Sequence, residues 1–296
     1  MTVRLLSLLF ACLFLIGAAA PGKLVRPGQS IGWTMAEGRK SYRLGDLTAT
    51  FDRVQCAPLG DECEEGDMEP KLTIATADGQ SLTLDGSVMQ NILMLGPLTK
   101  SGPVVAFVQT YTGGMHCCYA MQAVMRVEGK LQLIELGAYD GSEIGWPKDL
   151  DGDGTADFVV SDDRFLYAFD SYAASVAPPK VLNVIDGQAV DVSTDSRFAA
   201  VFRKAADAAR RSCERAASPN GACAAYAAAA ARLGELDAAW PIVTARHQRT
   251  IRIWPEGCKV QRDADYNCPE AQVIEYPDYP TALRAYLKEL GYTPAA

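Results

Sequence analysis

The sequence predicts an α+β chain: a β-rich module of blade-like sheets or a sandwich, followed by a disulfide-stapled helical module. Three observations carry that expectation. As far as residue 195, short runs rich in Val, Ile, Thr, Tyr and Phe alternate with Gly and Asp turns. From residue 196 the apolar spacing becomes helical and the composition turns to alanine. Of nine cysteines, six beyond Cys12 fall in closely spaced pairs. The expected divisions are a signal peptide at 1–20, a β-rich calcium-loop module at 21–195 and an α-helical module at 196–296.

Composition excludes several classes. With 296 residues, 49% hydrophobic and 22% charged, the chain is neither disordered nor fibrous and is long enough for a substantial core. The formal net charge of −8 argues against nucleic acid and against anionic membrane surfaces as partners.

The first twenty residues, MTVRLLSLLFACLFLIGAAA, combine one cation at Arg4, an apolar run from Leu5 to Ile16 and small residues from Gly17 to Ala20. That is the pattern of a cleavable signal peptide, and the run is short of the ~20 apolar residues a spanning helix needs. Cys12 lies in a poor lipid-attachment context, after the bulky Phe10. No later stretch is expected to span a membrane, so periplasmic or secreted location is the expectation.

The β-region elements follow in order. Lys71–Thr76 and Ser81–Leu84 flank the turn Ala77-Asp78-Gly79-Gln80, a hairpin signal. Val104–Tyr111 is a strand candidate. Ala120–Val127 and Leu131–Leu136 form a second hairpin around Glu128-Gly129-Lys130. Phe158–Val160 and Phe165–Phe169 are expected as strands around Ser161–Arg164, with Asp162 and Asp163 on a solvated edge. Val181–Ile185 and Ala189–Val192 flank Asp186-Gly187-Gln188.

In the helical module, Phe198, Phe202, Ala205, Ala209 and Cys213 keep helical spacing. The alanine-rich run 222–239 reads as a second helix across the turn Ser218–Gly221. Pro280–Leu290 reads as a third, with Pro280 in its first turn and Gly291 as C-cap.

An even set of cysteines in an exported chain reads as a disulfide framework. Cys56 and Cys63, Cys213 and Cys223, and Cys258 and Cys268 each flank a short polar loop and are expected as local staples. Cys117 and Cys118 are left over. A bond between neighbours needs a distorted backbone, which the preceding Gly113-Gly114 favours. A metal or redox site on His116, Cys117 and Cys118 is the alternative, although adjacent cysteines are poor ligands of one tetrahedral ion.

The segment with chemistry in it is Asp149-Leu150-Asp151-Gly152-Asp153-Gly154-Thr155-Ala156-Asp157. Calcium takes six to eight oxygens in a flexible cage. Carboxylates of Asp149, Asp151, Asp153 and Asp157, with the Thr155 carbonyl, can converge on one ion, and Gly154 permits the sharp turn. Val160 stands where an EF-hand needs a glutamate, and Phe158-Val159-Val160 reads as a strand. The loop resembles instead the calcium loops of integrin-like FG-GAP and VCBS repeats. Together with Thr112-Gly113-Gly114-Met115-His116-Cys117-Cys118, it is similar to uncharacterised exported bacterial proteins that pair a GGxHCC segment with such a loop. The resemblance implies a calcium site and a blade-like fold flavour, but no activity. One complete loop is too few for a large closed propeller.

Weaker signals do not hold. Gly28-Gln29-Ser30-Ile31-Gly32 matches the nucleophile-elbow spacing, but no buried strand leads into it. His247, in Arg246-His247-Gln248-Arg249, reads as part of a solvated polar segment. The functional expectation is an exported, non-catalytic calcium-binding protein with a structural or binding role in the cell envelope, its partner a protein or a glycan. The alternative is a secreted hydrolase with its site near the calcium loop and His116.

Overall fold

The computed structural model describes residues 22–56, 67–114, 118–141, 143–263 and 267–294. The expected signal peptide and His116 lie outside the described residues. The fold is α+β, with sheets over the first two thirds and helices after them.

Three sheets stack in layers. The outer one has strand order β1-β3-β4-β5-β6, built from β1 (Lys23–Leu24), β3 (Lys40–Leu44), β4 (Leu47–Gln55), β5 (Met68–Thr76) and β6 (Ser81–Asp85). The central one has order β10-β9-β8-β7-β2, from β2 (Ile31–Trp33), β7 (Asn91–Pro97), β8 (Val104–Tyr111), β9 (Tyr119–Val127) and β10 (Lys130–Tyr139). The third joins β11 (Phe158–Ser161), β12 (Pro179–Ile185) and β13 (Gln188–Asp191). The hairpins expected around 77–80, 128–130 and 186–188 form, with β5 beginning at Met68 rather than Lys71. Two of the turns hold consecutive positive φ angles, 49° and 78° at Glu128-Gly129 and 49° and 74° at Asp186-Gly187. That geometry matches the twist of the flanking strands.

The central sheet is buried on both faces, and strand alternation sorts its residues. Leu93 and Leu95 of β7, with Ala106 and Val108 of β8, pack on Leu72, Ile74 and Phe51 of the outer sheet. Ile92, Met94, Val105 and Phe107 point the other way, onto Phe158, Val160 and Leu182 of the third sheet. Phe107 meets Phe158 edge-on at 5.2 Å. Two buried faces explain why β7 reads as an unbroken apolar run, Ile92-Leu93-Met94-Leu95.

The helices are α1 (Ala199–Arg215), α2 (Asn220–Arg232), α3 (Leu236–Arg246) and α4 (Tyr279–Glu289). Val181 of β12 packs on Phe198 and Phe202, which joins the third sheet to the start of the helical region. The alanine-rich run is not one helix. It breaks at Leu233 and Gly234, where φ is +70°, and resumes as α3. Ala222 to Ala230 are all buried, because small side chains let α1, α3 and α4 close around α2 on every side. Cys213–Cys223 bridges α1 to α2, and Cys258–Cys268 closes a second ten-residue separation. Cys56 and Cys118 are disulfide-bonded as well. Their expected partners, Cys63 and Cys117, lie outside the described residues.

Segment 162–170 departs from its expectation. Phe165–Phe169 is not a strand: Asp163–Phe165 is a 3-10 turn, and Tyr167 has φ +58°, which ends any extended run. Phe165 and Phe169 plug into the helical core, edge-on to Tyr286, Tyr292 and Tyr279. Asp162 is no solvated edge residue. It is 2% exposed, pairs with Arg164 and accepts the Tyr292 hydroxyl at 2.9 Å.

Candidate metal centre

The acidic loop hangs from the junction of the layers. Lys148 and Asp157 form a bridge that closes it, with the Asp157 amide donating to the Lys148 carbonyl at 2.9 Å. The Ala156 amide reaches the Leu98 carbonyl at 2.7 Å, and Thr155 bridges to Thr99. Trp146, three positions upstream of Asp149, packs closely on β7 at Gly96, where there is no side chain to keep it off. A Cβ there would stand 2.8 Å from Trp146 Cζ2.

Inside the loop, carboxylates organise backbone amides. Asp149 accepts from the amides of Gly152 at 2.7 Å and Gly154 at 3.1 Å. Asp151 Oδ1 accepts from Asp153 N at 3.0 Å, and Asp153 Oδ1 from Thr155 N at 2.7 Å. Gly152 and Gly154 carry φ of 82° and 89°, the left-handed region that a side chain would strain. The result brings one ligand oxygen each of Asp149, Asp151 and Asp153 within 4.8 Å of one another.

Asp157 stands outside that trio. It is 1% exposed, its Oδ2 accepts from Leu150 N at 2.7 Å, and its Oδ1 has no hydrogen-bond partner among the described residues. Burial pushes its carboxyl above the ordinary range, and the charges of Asp151 and Asp153 add to that. The Leu150 amide, hydrogen-bonded to Oδ2, pulls the other way. Thr155 is held by its bridge to Thr99. Of the five expected ligands, then, three side chains converge, and Asp157 braces the loop from below.

A participant that spacing could not reveal is Arg197. Its Nη1 lies 2.6 Å from Asp151 Oδ2 and 3.6 Å from Asp153 Oδ2, while the Asp151 side chain is 0% exposed. Asp151 Oδ2 nonetheless lacks an aligned hydrogen bond, so the contact is an ion pair set by charge proximity. Asp195 grips the same guanidinium through Nε and Nη2. Those carboxylates raise the Arg197 pKa, with Asp195 the largest contributor. The chemistry on offer is that of a hard-cation site: oxygen donors only, held by a pre-curled loop, with one cation of the protein already leaning on it.

Beside the loop is a cavity of about 670 Å³, walled by Leu150, Ile144 and Val159 on one side and by Val201, Lys204 and Ala205 of α1 on the other. His247 is half-buried and stacks on Tyr279 at 5.2 Å, so the expectation of a solvated segment is corrected there.

Layered sheets, a helical domain and an acidic loop at their junction define a two-part α+β protein with a candidate cation site between the parts. The chain belongs to the family of the probable thylakoid lumen protein sll0997 of Synechocystis. The two are 32% identical over 237 residues, which cover 76% of this chain and 68% of that protein. Residues 198–291 match the family described as the sll0997 C-terminal domain. An uncharacterized protein of Sinorhizobium fredii, y4bJ, is 29% identical over 194 residues, covering 64% of this chain but 30% of its own length. No solved structure matches. The family model covers residues 198–291 and leaves the acidic loop outside it, so the likeness of that loop to FG-GAP and VCBS calcium loops stands on sequence pattern.

Proposed function

We propose that the protein is an exported, non-catalytic component of the cell envelope whose acidic loop binds calcium, and that the ion ties the β-sheets to the helical domain. The observation that carries this reading is the convergence of Asp149, Asp151 and Asp153 within 4.8 Å, with the Asp151 side chain fully buried. Export is supported by the bonds Cys213–Cys223 and Cys258–Cys268, which persist in oxidising compartments, and by the name of the lumenal relative. Among the described residues no helix is long and apolar enough to cross a membrane.

Calorimetry of the full chain, stripped with chelator and titrated with calcium, tests the reading. Binding in the ~10⁻⁴–10⁻³ M range of extracellular modules is expected, with a rise in Tm that magnesium does not reproduce. Asp151→Asn combined with Asp153→Asn should remove both. A wild-type protein that takes up no heat at millimolar calcium and melts identically in chelator would overturn it.

A further inference from the structure

The helical domain contains a second site of opposite charge. His247, Arg249, Arg252, Trp254, Asp278 and Tyr279 line one cleft of about 350 Å³, at the small end of ligand-pocket sizes. The whole cleft falls inside residues 198–291, the portion that matches the family.

Its construction starts from a buried amide. Asn220 is 0% exposed. Its Oδ1 accepts from Gln248 N at 2.8 Å, and its Nδ2 donates to Gln248 O at 3.3 Å. Gln248 Nε2 also reaches Ala217 O at 2.7 Å. The backbone on which Arg249 sits is therefore pinned from both sides to the start of α2. The Tyr279 hydroxyl donates to Asn220 O at 2.8 Å, so the cleft's floor is fixed by the same residue. Trp254 Nε1 donates to Tyr276 O at 3.3 Å, which sets the indole. His247 Nδ1 lies 2.7 Å from Thr244 O. A carbonyl only accepts, so the ring proton is on Nδ1 and Nε2 is the nitrogen left over. Second-layer anchoring of this kind holds a binding constellation in place.

The charges inside are uneven. Arg249 and Arg252 enter no ion pair among the described residues. Asp278 stays ionised at the cleft's edge and is turned toward α4, where its carboxylate accepts Thr281 N at 2.9 Å; the Thr281 side chain and then its amide hold the pKa down. In a chain of formal charge −8, two guanidinium groups outside any ion pair among the described residues outnumber the cleft's one carboxylate, beside an indole and a stacked Tyr–His pair, which is a local reversal of sign. Guanidinium forks match carboxylates, and aromatic walls take flat apolar bodies.

We propose that this cleft binds a small ring-bearing carboxylate, with Arg249 and Arg252 on the anionic group and the partly exposed Trp254 against the ring, over a floor held by the buried Tyr279. It is independent of the calcium loop.

The test uses 4-fluorobenzoate with the full chain, observed by fluorine NMR. Saturable binding is expected, weakened at least ~10-fold by Arg249→Gln combined with Arg252→Gln, since charge-assisted pairs with carboxylate dominate. Both arginines are exposed, so the variant should keep its Tm, which is measured alongside. Arg211→Gln with Arg215→Gln, on the surface of α1, should leave binding unchanged. The neutral 4-fluorobenzyl alcohol should bind far more weakly. Equal binding of the alcohol, or a cleft variant that binds as wild type does, would overturn the carboxylate assignment. Inorganic phosphate competing as strongly as fluorobenzoate would overturn the ring assignment, and no saturable binding at all would overturn the site.

Discussion

The Arg197 guanidinium stands 2.6 Å from Asp151 Oδ2, so the residue just ahead of the family-matched domain supplies the counter-charge for a loop that belongs to the sheets. A fully buried carboxylate must be paired, and this pair is the compensation visible around Asp151. A calcium ion in the loop would meet the same oxygens. On the proposed calcium reading, arginine and the ion would compete for one set of oxygens.

That rivalry gives a two-sided expectation for Arg197→Ala. In chelator the variant should melt below wild type, because Asp151 loses its partner. In calcium the order should close or reverse, and the dissociation constant for calcium should fall several-fold because no protein cation has to leave. Calorimetry and melting curves in both conditions check it. A variant destabilised equally with and without calcium would show that Arg197 is a structural pair with no bearing on the ion.

Gly96 gives a second expectation. A methyl group there would meet the Trp146 ring at 2.8 Å, inside contact distance. Gly96→Ala should cost about 1–3 kcal/mol as an overpacked core site. Trp146 leads directly into the loop, so the calcium-dependent part of Tm should shrink as well. A denaturant series with and without calcium separates the two effects.

Much of the fold was legible because the local signals agreed with the tertiary outcome. The hairpins at 76–81, 127–130 and 185–188 carry turn residues that suit positive φ, and α4 has Pro280 at its start and Gly291 at its end. Legibility failed where the chain leaves the third sheet for the helical core. Phe165 and Phe169 have strand-like chemistry, yet the tyrosines of α4 and the C-terminal segment claim them. The alanine run hid its break because nothing in Ala222–Leu233 signals a stop, and Gly234 alone provides it. At the site, spacing within Asp149–Asp157 revealed the curl of the loop. It could not reveal Arg197, forty-odd residues away, whose approach depends on how β12 packs on Phe198.

Phe165 tests the plug between the parts. It is 1% exposed and touches Tyr286 and Tyr292 edge-on. Phe165→Ala should lose about 3–5 kcal/mol, the usual cost of an emptied aromatic site. The loss should appear as looser attachment of α4, read by faster amide exchange in Leu283, Tyr286 and Leu287 than in β7. Uniform acceleration across β7 and α4 would mean that the two parts unfold as one unit.

Asp163 should make stability depend on pH in the unusual direction. Burial is the main cause that raises its pKa to about 6, and the charges of Asp140 and Asp162 push the same way. The Asp140 amide, 2.5 Å from Oδ2, and the charge of Lys180 oppose the shift without cancelling it. Oδ1 is buried with no hydrogen-bond partner among the described residues, so the ionised form is poorly served in the fold. The folded pKa exceeds the unfolded one, so the protonated group favours the native state. Its contribution is full below pH ~3.9 and is lost as pH rises through about 6. The loss is below the roughly 3 kcal/mol that ~1.36 kcal/mol per unit would give, because the half-buried group is partly screened by solvent. Asp163→Asn cannot ionise but can still accept the Asp140 amide. Between pH 4 and pH 7 the wild-type unfolding free energy should therefore fall relative to the variant, while the other carboxylates cancel in the difference. Denaturant unfolding at the two pH values measures this directly. Parallel profiles for the two proteins would mean that Asp163 ionises as an ordinary surface carboxylate and that its burial costs the fold nothing.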